Sequence, residues 1–224
     1  HVLCEKPLTL STRETQAAFE AADAAGLLLV EAAWSMWHPR MQRVTQLVST
    51  GEIGEVREFL GTFTFDGVPD DNYRLDPKLG GGALLDIGVY PLHALVACLP
   101  HLDSVRPEFE QITGGLGVDL TTKARLEIGP QSHASIVASF AMPESQRLMI
   151  RGDTQELRIT DDQAFTSWRE PSNLMVGNTV EDFPATDAYR EMFEAVSARI
   201  LGRDTWVLPP SNSIRVAALV DSLR

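Results

Sequence analysis

The first thirty-three residues restrict the fold more than any other stretch of the chain. Val2-Leu3-Cys4 is a short apolar run with the look of a strand end. Ser11-Thr12-Arg13-Glu14 fits a capping box, with Ser11 as N-cap and Glu14 at the third helical position. The Ala-rich segment that follows reads as a helix stopping at Gly26, a residue suited to the left-handed turn after a helix end. Leu27-Leu28-Leu29-Val30-Glu31-Ala32-Ala33 then reads as a second buried strand. A strand, a helix and a strand within about 30 residues make a βαβ unit, which implies a parallel sheet. Two strands do not make a stable sheet alone. The unit is therefore expected to be the end of a larger one, and the start on His1 rather than Met fits an absent N-terminal part.

Beyond this unit, Pro39 at a helix start, Met41, Val44, Leu47 and Val48 on one face, and Gly51 as terminator predict a helix. Val56 to Phe65 alternates in part, broken by Arg57, Gly61 and Thr64. Between residues 105 and 176 come short β-type segments: 116–128, 135–140, 147–150, 156–159 and 164–168. Turn signals separate them at Gly129-Pro130, at Arg151-Gly152-Asp153 and at Asp161-Asp162, so they read as an antiparallel sheet. Residues 184–201 and 213–223 are expected to be helices. The pattern thus reads as the end of a parallel α/β unit, followed by an α+β part with an antiparallel sheet and helices. The boundary is expected between residues 1–36 and 37–224.

Lys plus Arg number 19 against 31 Asp plus Glu, a net charge of −12, with no basic block. This excludes a nucleic-acid partner and an anionic membrane surface as expectations, and favours a small-molecule substrate. Runs such as 27–30 and 94–99 are too short to span a bilayer. Two cysteines, Cys4 and Cys98, offer no metal-ligand spacing and no disulfide framework, which suits a cytoplasmic location.

Candidate chemistry concentrates in two places. Glu5-Lys6-Pro7 lies at the carboxyl end of the first strand, the edge where doubly wound sheets bind ligands, and Pro7 restrains Lys6. Gly80-Gly81-Gly82 opens an apolar run carrying Asp86, Tyr90 and His93. On a helix these positions are i, i+4 and i+7, so they would share one face, as expected of proton-handling groups presented to a pocket. Pro91 removes one helical hydrogen bond and is expected to kink the run. Arg74 lies shortly before the triplet and could meet a substrate or phosphate oxygen, and Trp34 stands at the junction of the two parts. His101 and His133 stand alone and carry no expected role.

Taken in order, Glu5-Lys6-Pro7, Glu31-Ala32-Ala33-Trp34, His38-Pro39 and Gly80-Gly81-Gly82 with Asp86, Gly88, Tyr90 and His93 resemble the Gfo/Idh/MocA family of oxidoreductases. The tyrosine at position 90 resembles the branch holding dihydrodiol and xylose dehydrogenases. The resemblance implies an α/β remnant of a Rossmann domain followed by an α+β domain with a large, mostly antiparallel open sheet flanked by helices, and hydride transfer between NAD or NADP and a hydroxyl carbon of a sugar or vicinal diol. It also implies Lys6, Asp86 and Tyr90 as catalytic residues, and His93 and Arg74 as substrate-binding residues. Glu5, Lys6, Pro7 and Trp34 would meet the cofactor. Dimers or tetramers would form through the sheet face. A Lys6 ammonium would then help lower Tyr90 from its reference pKa of about 10. Two departures stand out: no G-x-G-x-x-G occurs, and Met36 stands where many relatives carry Arg. A non-catalytic sensor and an oligomerisation scaffold are the alternatives.

Overall fold

The computed structural model describes residues 1–99, 102, 105–159, 162–167 and 169–224. Strand β1 (Val2–Glu5), helix α1 (Thr12–Ala24) and strand β2 (Leu29–Ala32) form the expected unit. β1 and β2 pair in parallel, with Val2 opposite Leu29 and Glu5 opposite Ala32. Ser11 Oγ accepts the Glu14 N–H at 3.3 Å, which caps α1 as its sequence predicts. A tight turn, Trp34–Trp37, leads into α2 (Pro39–Ser49), whose Met41, Val44 and Leu47 are buried.

Strand β3 (Val56–Thr64) is followed by a long connection with short 3-10 turns at Tyr73–Leu75 and Pro77–Leu79. A π-helical turn, Leu84–Gly88, then runs into α3 (Val89–Cys98). Seven further strands follow: β4 (Arg106–Thr113), β5 (Asp119–Gly129), β6 (Ser132–Ser139), β7 (Ser145–Gly152), β8 (Glu156–Ile159), β9 (Ser172–Val176) and β10 (Thr179–Phe183). Helices α4 (Ala188–Ile200) and α5 (Pro210–Ser222) end the chain.

Strands β3 to β10 form one eight-stranded sheet in the order β10-β9-β8-β7-β3-β6-β5-β4. Every neighbouring pair is antiparallel except β3 and β6, which run parallel. Alternation along the strands buries Phe59, Leu126, Ile136 and Ile150 on the face that carries α3. Leu92 and Leu95 of α3 complete that core. Gly61 lets α3 come close: a Cβ there would sit 2.5 Å from the Pro91 Cβ. The expected open, mostly antiparallel sheet flanked by helices is therefore present, beside the small parallel pair.

Three expectations need correction. Residues 164–167 form a buried turn rather than a strand, and positions 161 and 168 lie outside the described residues, as does His101. The buried Arg40 donates to the carbonyls of Gln163 at 2.9 Å and Asn173 at 3.3 Å, supplying the partners that a strand would otherwise take from a ladder. Helix α4 begins at Ala188 rather than Pro184, because Asp187 Oδ1 accepts the Arg190 N–H at 3.1 Å and fixes the start. Residues 77–98 are apolar and long enough to span a bilayer, yet they fold as successive short turns and one helix buried against the sheet.

Candidate active site

The carboxyl end of β1 and the turn before α3 face one another across a cleft of about 460 Å³. Lys6 reaches over from β1. Its Nζ donates to the Asp86 backbone carbonyl at 2.5 Å and to Asp86 Oδ1 at 2.9 Å. The backbone explains why that carbonyl is there to be met. In the wider i to i+5 register of a π turn, the donor opposite residue 86 would be residue 91, and proline has no N–H. Lys6 supplies the missing donor.

Asp86 also accepts from Arg74 Nε at 2.6 Å, so one carboxylate holds two cations. Burial pushes the Asp86 carboxyl up, but the Lys6 ammonium and the hydrogen bonds from Lys6 and Arg74 outweigh it and leave it below the usual Asp range. Arg74 stacks over the Tyr73 ring at 4.8 Å and meets Asp86 through its Nε.

Tyr90 sits in the first turn of α3, against Phe63 at 5.3 Å between ring centres. Lys6 Nζ lies 4.9 Å from its ring centroid. The Trp34 indole N–H donates to its hydroxyl oxygen at 3.1 Å. The expected lowering of this hydroxyl by Lys6 is not what the surroundings produce. Burial pushes the Tyr90 pKa well above its ordinary value, Trp34 pulls it back in part, and Tyr189, Asp86 and Glu5 add to the rise. Burial is the main cause, and Lys6, held by Asp86 in a salt bridge at 2.9 Å, does not offset it.

The start of this helical run is held by Asp119 from β5. Its Oδ2 accepts the Leu84 N–H and the Thr122 hydroxyl, each at 2.8 Å, so a carboxylate from another strand caps the segment. Gly82 makes room for it: φ is +123°, and a Cβ would fall 2.2 Å from Asp119 Oδ1. Burial pushes the Asp119 carboxyl up despite these bonds.

Of the residues singled out from sequence, Glu5, Lys6, Pro7, Arg74, Asp86 and Tyr90 all line the cleft. His93 does not. It is 1% exposed and turned to the other side of α3, with Nδ1 2.6 Å from Asn212 Oδ1 of α5 and Nε2 3.5 Å from Glu31 Oε1. The π turn at Leu84–Gly88 breaks the 3.6-residue register between Asp86 and His93, and Asn212 and Glu31 hold the imidazole on the far side. Trp34 is not among the residues lining the cleft and packs against Tyr90. Met36 is buried in the same turn, where a charged side chain would have no water.

Sequence reasoning passed over three contributors. Tyr189 of α4 lines the cleft and stacks on Trp34 at 4.6 Å. Asp119 is the remote cap. Glu31 accepts the Leu8 N–H at 3.0 Å and so ties the loop after Lys6 to β2. Burial pushes Glu31 up, but His93, Ser213 and the Leu8 N–H bring it below its ordinary value. A lone acidic residue inside an apolar strand was the available signal for Glu31.

Residues 41–158 match the GFO/IDH/MocA C-terminal domain. The D-xylose 1-dehydrogenase (NADP(+)) 2 of Haloferax volcanii is 34% identical over 230 residues, covering 100% of this chain and 69% of that protein. The trans-1,2-dihydrobenzene-1,2-diol dehydrogenase of Danio rerio is 28% identical over 84% of this chain and 55% of its own length. Among solved structures, KijD10, a 3-ketoreductase from Actinomadura kijaniata in complex with NADP and TDP-benzene, superposes with a TM-score of 0.84. It is 29% identical over 100% of this chain and 70% of its own.

Proposed function

The chain belongs to the GFO/IDH/MocA family of oxidoreductases, and on that premise we propose that it transfers hydride between NADP and a hydroxyl or keto carbon of a sugar or vicinal diol. The observation that carries this reading is the convergence of Lys6, Asp86 and Tyr90 on one cleft from two distant segments. D-xylose and a dihydrodiol in the names of similar proteins support the substrate class, and NADP in the names of two supports the cofactor.

The residues here fit the nicotinamide end of such a cofactor. The cleft is roomy, Lys6 keeps one of its three donors, and the Tyr90 hydroxyl has no second hydrogen-bond partner among the described residues. No turn of G-x-G-x-x-G spacing occurs in the 224 residues to hold the pyrophosphate. When bound, NADP exchanges a hydride with the reacting carbon.

Tyr90 handles the proton. Held protonated by its buried setting, it is suited to give its hydroxyl proton to the oxygen of a keto group being reduced, and to take it back in the reverse direction. Lys6 lies beside that oxygen's approach and stabilises negative charge building there. Asp86 fixes the Lys6 ammonium at two points. Arg74 steadies Asp86 and offers its Nη groups to substrate oxygens.

The open face of the large sheet, where Leu60, Val137 and Met149 are half-buried beside exposed Lys123 and Arg147, supports self-association as a dimer or tetramer. The free thiols of Cys4 and Cys98 suit a reducing cytoplasm. Residues 1–36 are read as part of the cofactor-side unit and 37–224 as the substrate-binding unit.

Turnover with NADP and a panel of aldoses and diols tests the assignment. Tyr90→Phe and Lys6→Met should each lose at least ~10²-fold in kcat, with Tyr90→Phe staying close to the wild-type unfolding midpoint and Lys6→Met unfolding earlier, because it leaves Asp86 without that partner. Wild-type turnover in both variants would overturn it.

A further inference from the structure

Building on the acid/base reading of Tyr90, we propose that Trp34 is a positioning residue whose indole N–H turns the Tyr90 hydroxyl proton toward the cleft and favours the phenolate once that proton has left. An indole nitrogen can only donate. At 3.1 Å the direction of the Trp34–Tyr90 bond is therefore settled: the tyrosine oxygen accepts. The hydroxyl's own proton is not spent on Trp34, and the bond takes up the buried side of the oxygen. The remaining direction opens on the cleft that Tyr90 lines.

The donor is held in place. Trp34 is 4% exposed and stacks on Tyr189 of α4 at 4.6 Å with 19° between ring planes. It meets the Tyr90 ring edge-on, at 6.1 Å and 79°. That arrangement aims the N–H edge rather than the flat face at the hydroxyl. Trp34 is also the first residue of the tight turn after β2, so its backbone is set by the same strand that carries Glu31.

The other groups around Tyr90 make such a donor useful. Lys6 lies 4.9 Å from the ring centroid with its charge shared by Asp86. Asp86, Glu5 and Tyr189 all add to the cost of ionising Tyr90, on top of burial. The Trp34 bond works in the opposite direction, because a donor to oxygen stabilises the charged form more than the neutral one. In reduction, for which a bound NADPH would supply the hydride to the carbonyl carbon, the carbonyl oxygen takes the Tyr90 proton. The phenolate left behind is then met by an N–H already in place, and water returns the proton.

The test is Trp34→Phe in the full protein, which keeps a ring to stack on Tyr189 but removes the N–H, a donor that also reaches Tyr189. In alcohol oxidation, kcat at neutral pH should fall by about 10-fold, while the rise of the pH–rate profile moves about one unit higher and the deficit closes at alkaline pH. KM for the sugar or diol should change little. In a Tyr90→Phe background, Trp34→Phe should cost nothing further. A second measurement does not need the Trp34 variant to fold. In protein carrying ¹⁵N-labelled tryptophan, Tyr90→Phe should shift the Trp34 indole N–H resonance and speed its exchange with solvent. An equal loss at every pH, or an unmoved indole resonance, would overturn the proposal. Full turnover by Tyr90→Phe would instead overturn the acid/base reading, and the indole resonance would still report whether the bond exists.

Discussion

Gly82→Ala offers the most direct test of how the helical run carrying Asp86 and Tyr90 is held. The new Cβ would lie 2.2 Å from Asp119 Oδ1, and φ at this residue is +123°. Holding a non-glycine residue in that region costs about 1–3 kcal/mol. Asp119 cannot step aside freely, because its other oxygen accepts from the Leu84 N–H and the Thr122 hydroxyl at 2.8 Å each. Losing even one hydrogen bond to a charged acceptor costs about 1.5–3 kcal/mol. The entropy lost from the unfolded chain returns about 0.4–1 kcal/mol. The net expectation is a loss of about 2–5 kcal/mol, a large share of the ~5–15 kcal/mol that holds a domain together. Urea unfolding followed by tryptophan fluorescence measures it. Gly115→Ala is the control: nothing lies within 4 Å of its Cβ position and its φ is not in the left-handed region, so it should be close to neutral. In the double variant Gly82→Ala with Asp119→Ala, the clash is gone, so the two costs should fall short of additivity. A Gly82→Ala protein within 1 kcal/mol of wild type, or strict additivity, would refute the reasoning.

Two further outcomes follow from the buried charges. Glu31→Leu strands the Leu8 N–H in an apolar setting and should cost about 1–3 kcal/mol by urea unfolding, whereas Glu31→Gln keeps an acceptor for Leu8 and should cost clearly less. Asp86 has a folded pKa below its unfolded value of about 3.9, so the stability it contributes is complete above that pH and is lost as pH falls through the folded value. Acid unfolding of Asp86→Asn should therefore lack that step, which fluorescence-monitored titration from pH 6 to pH 2 would detect.

Much of the architecture was legible where one segment settles its own structure. The Ser11 cap, the Pro39 helix start and the paired apolar runs on either side of α1 are local signals, and each appears as read. Lys6, Asp86, Tyr90 and Arg74 were legible as candidates because charged side chains beside apolar runs are conspicuous. What escaped depends on neighbours far away in sequence. β4 is an edge strand with Phe109 and Ile112 exposed, so it shows no clean alternation, and β10 is equally open to solvent. The parallel pairing of β3 with β6 leaves no trace in either strand alone. His93 was misplaced because an ideal helical wheel ignores the π turn and the partners Glu31 and Asn212 that draw it aside. The state of Tyr90 depends on its burial and on the pairing of Lys6 with Asp86, which joins residues 80 positions apart and leaves no trace in either segment alone.

The place of β3 in the sheet has a consequence for how the molecule assembles. β6 and β7 follow one another in the chain, yet β3 lies between them and bonds to both. The β5–β6 and β7–β8 hairpins can form from nearby residues, whereas the central slot waits for a strand encoded about 75 residues earlier, at the separation of Glu58 from His133. Helix α3 seats against that strand through Gly61 and Pro91, so it gains its final position only when the slot is filled. During refolding, then, secondary structure should build up well before catalytic competence, and the appearance of activity should report the slowest closure of the sheet.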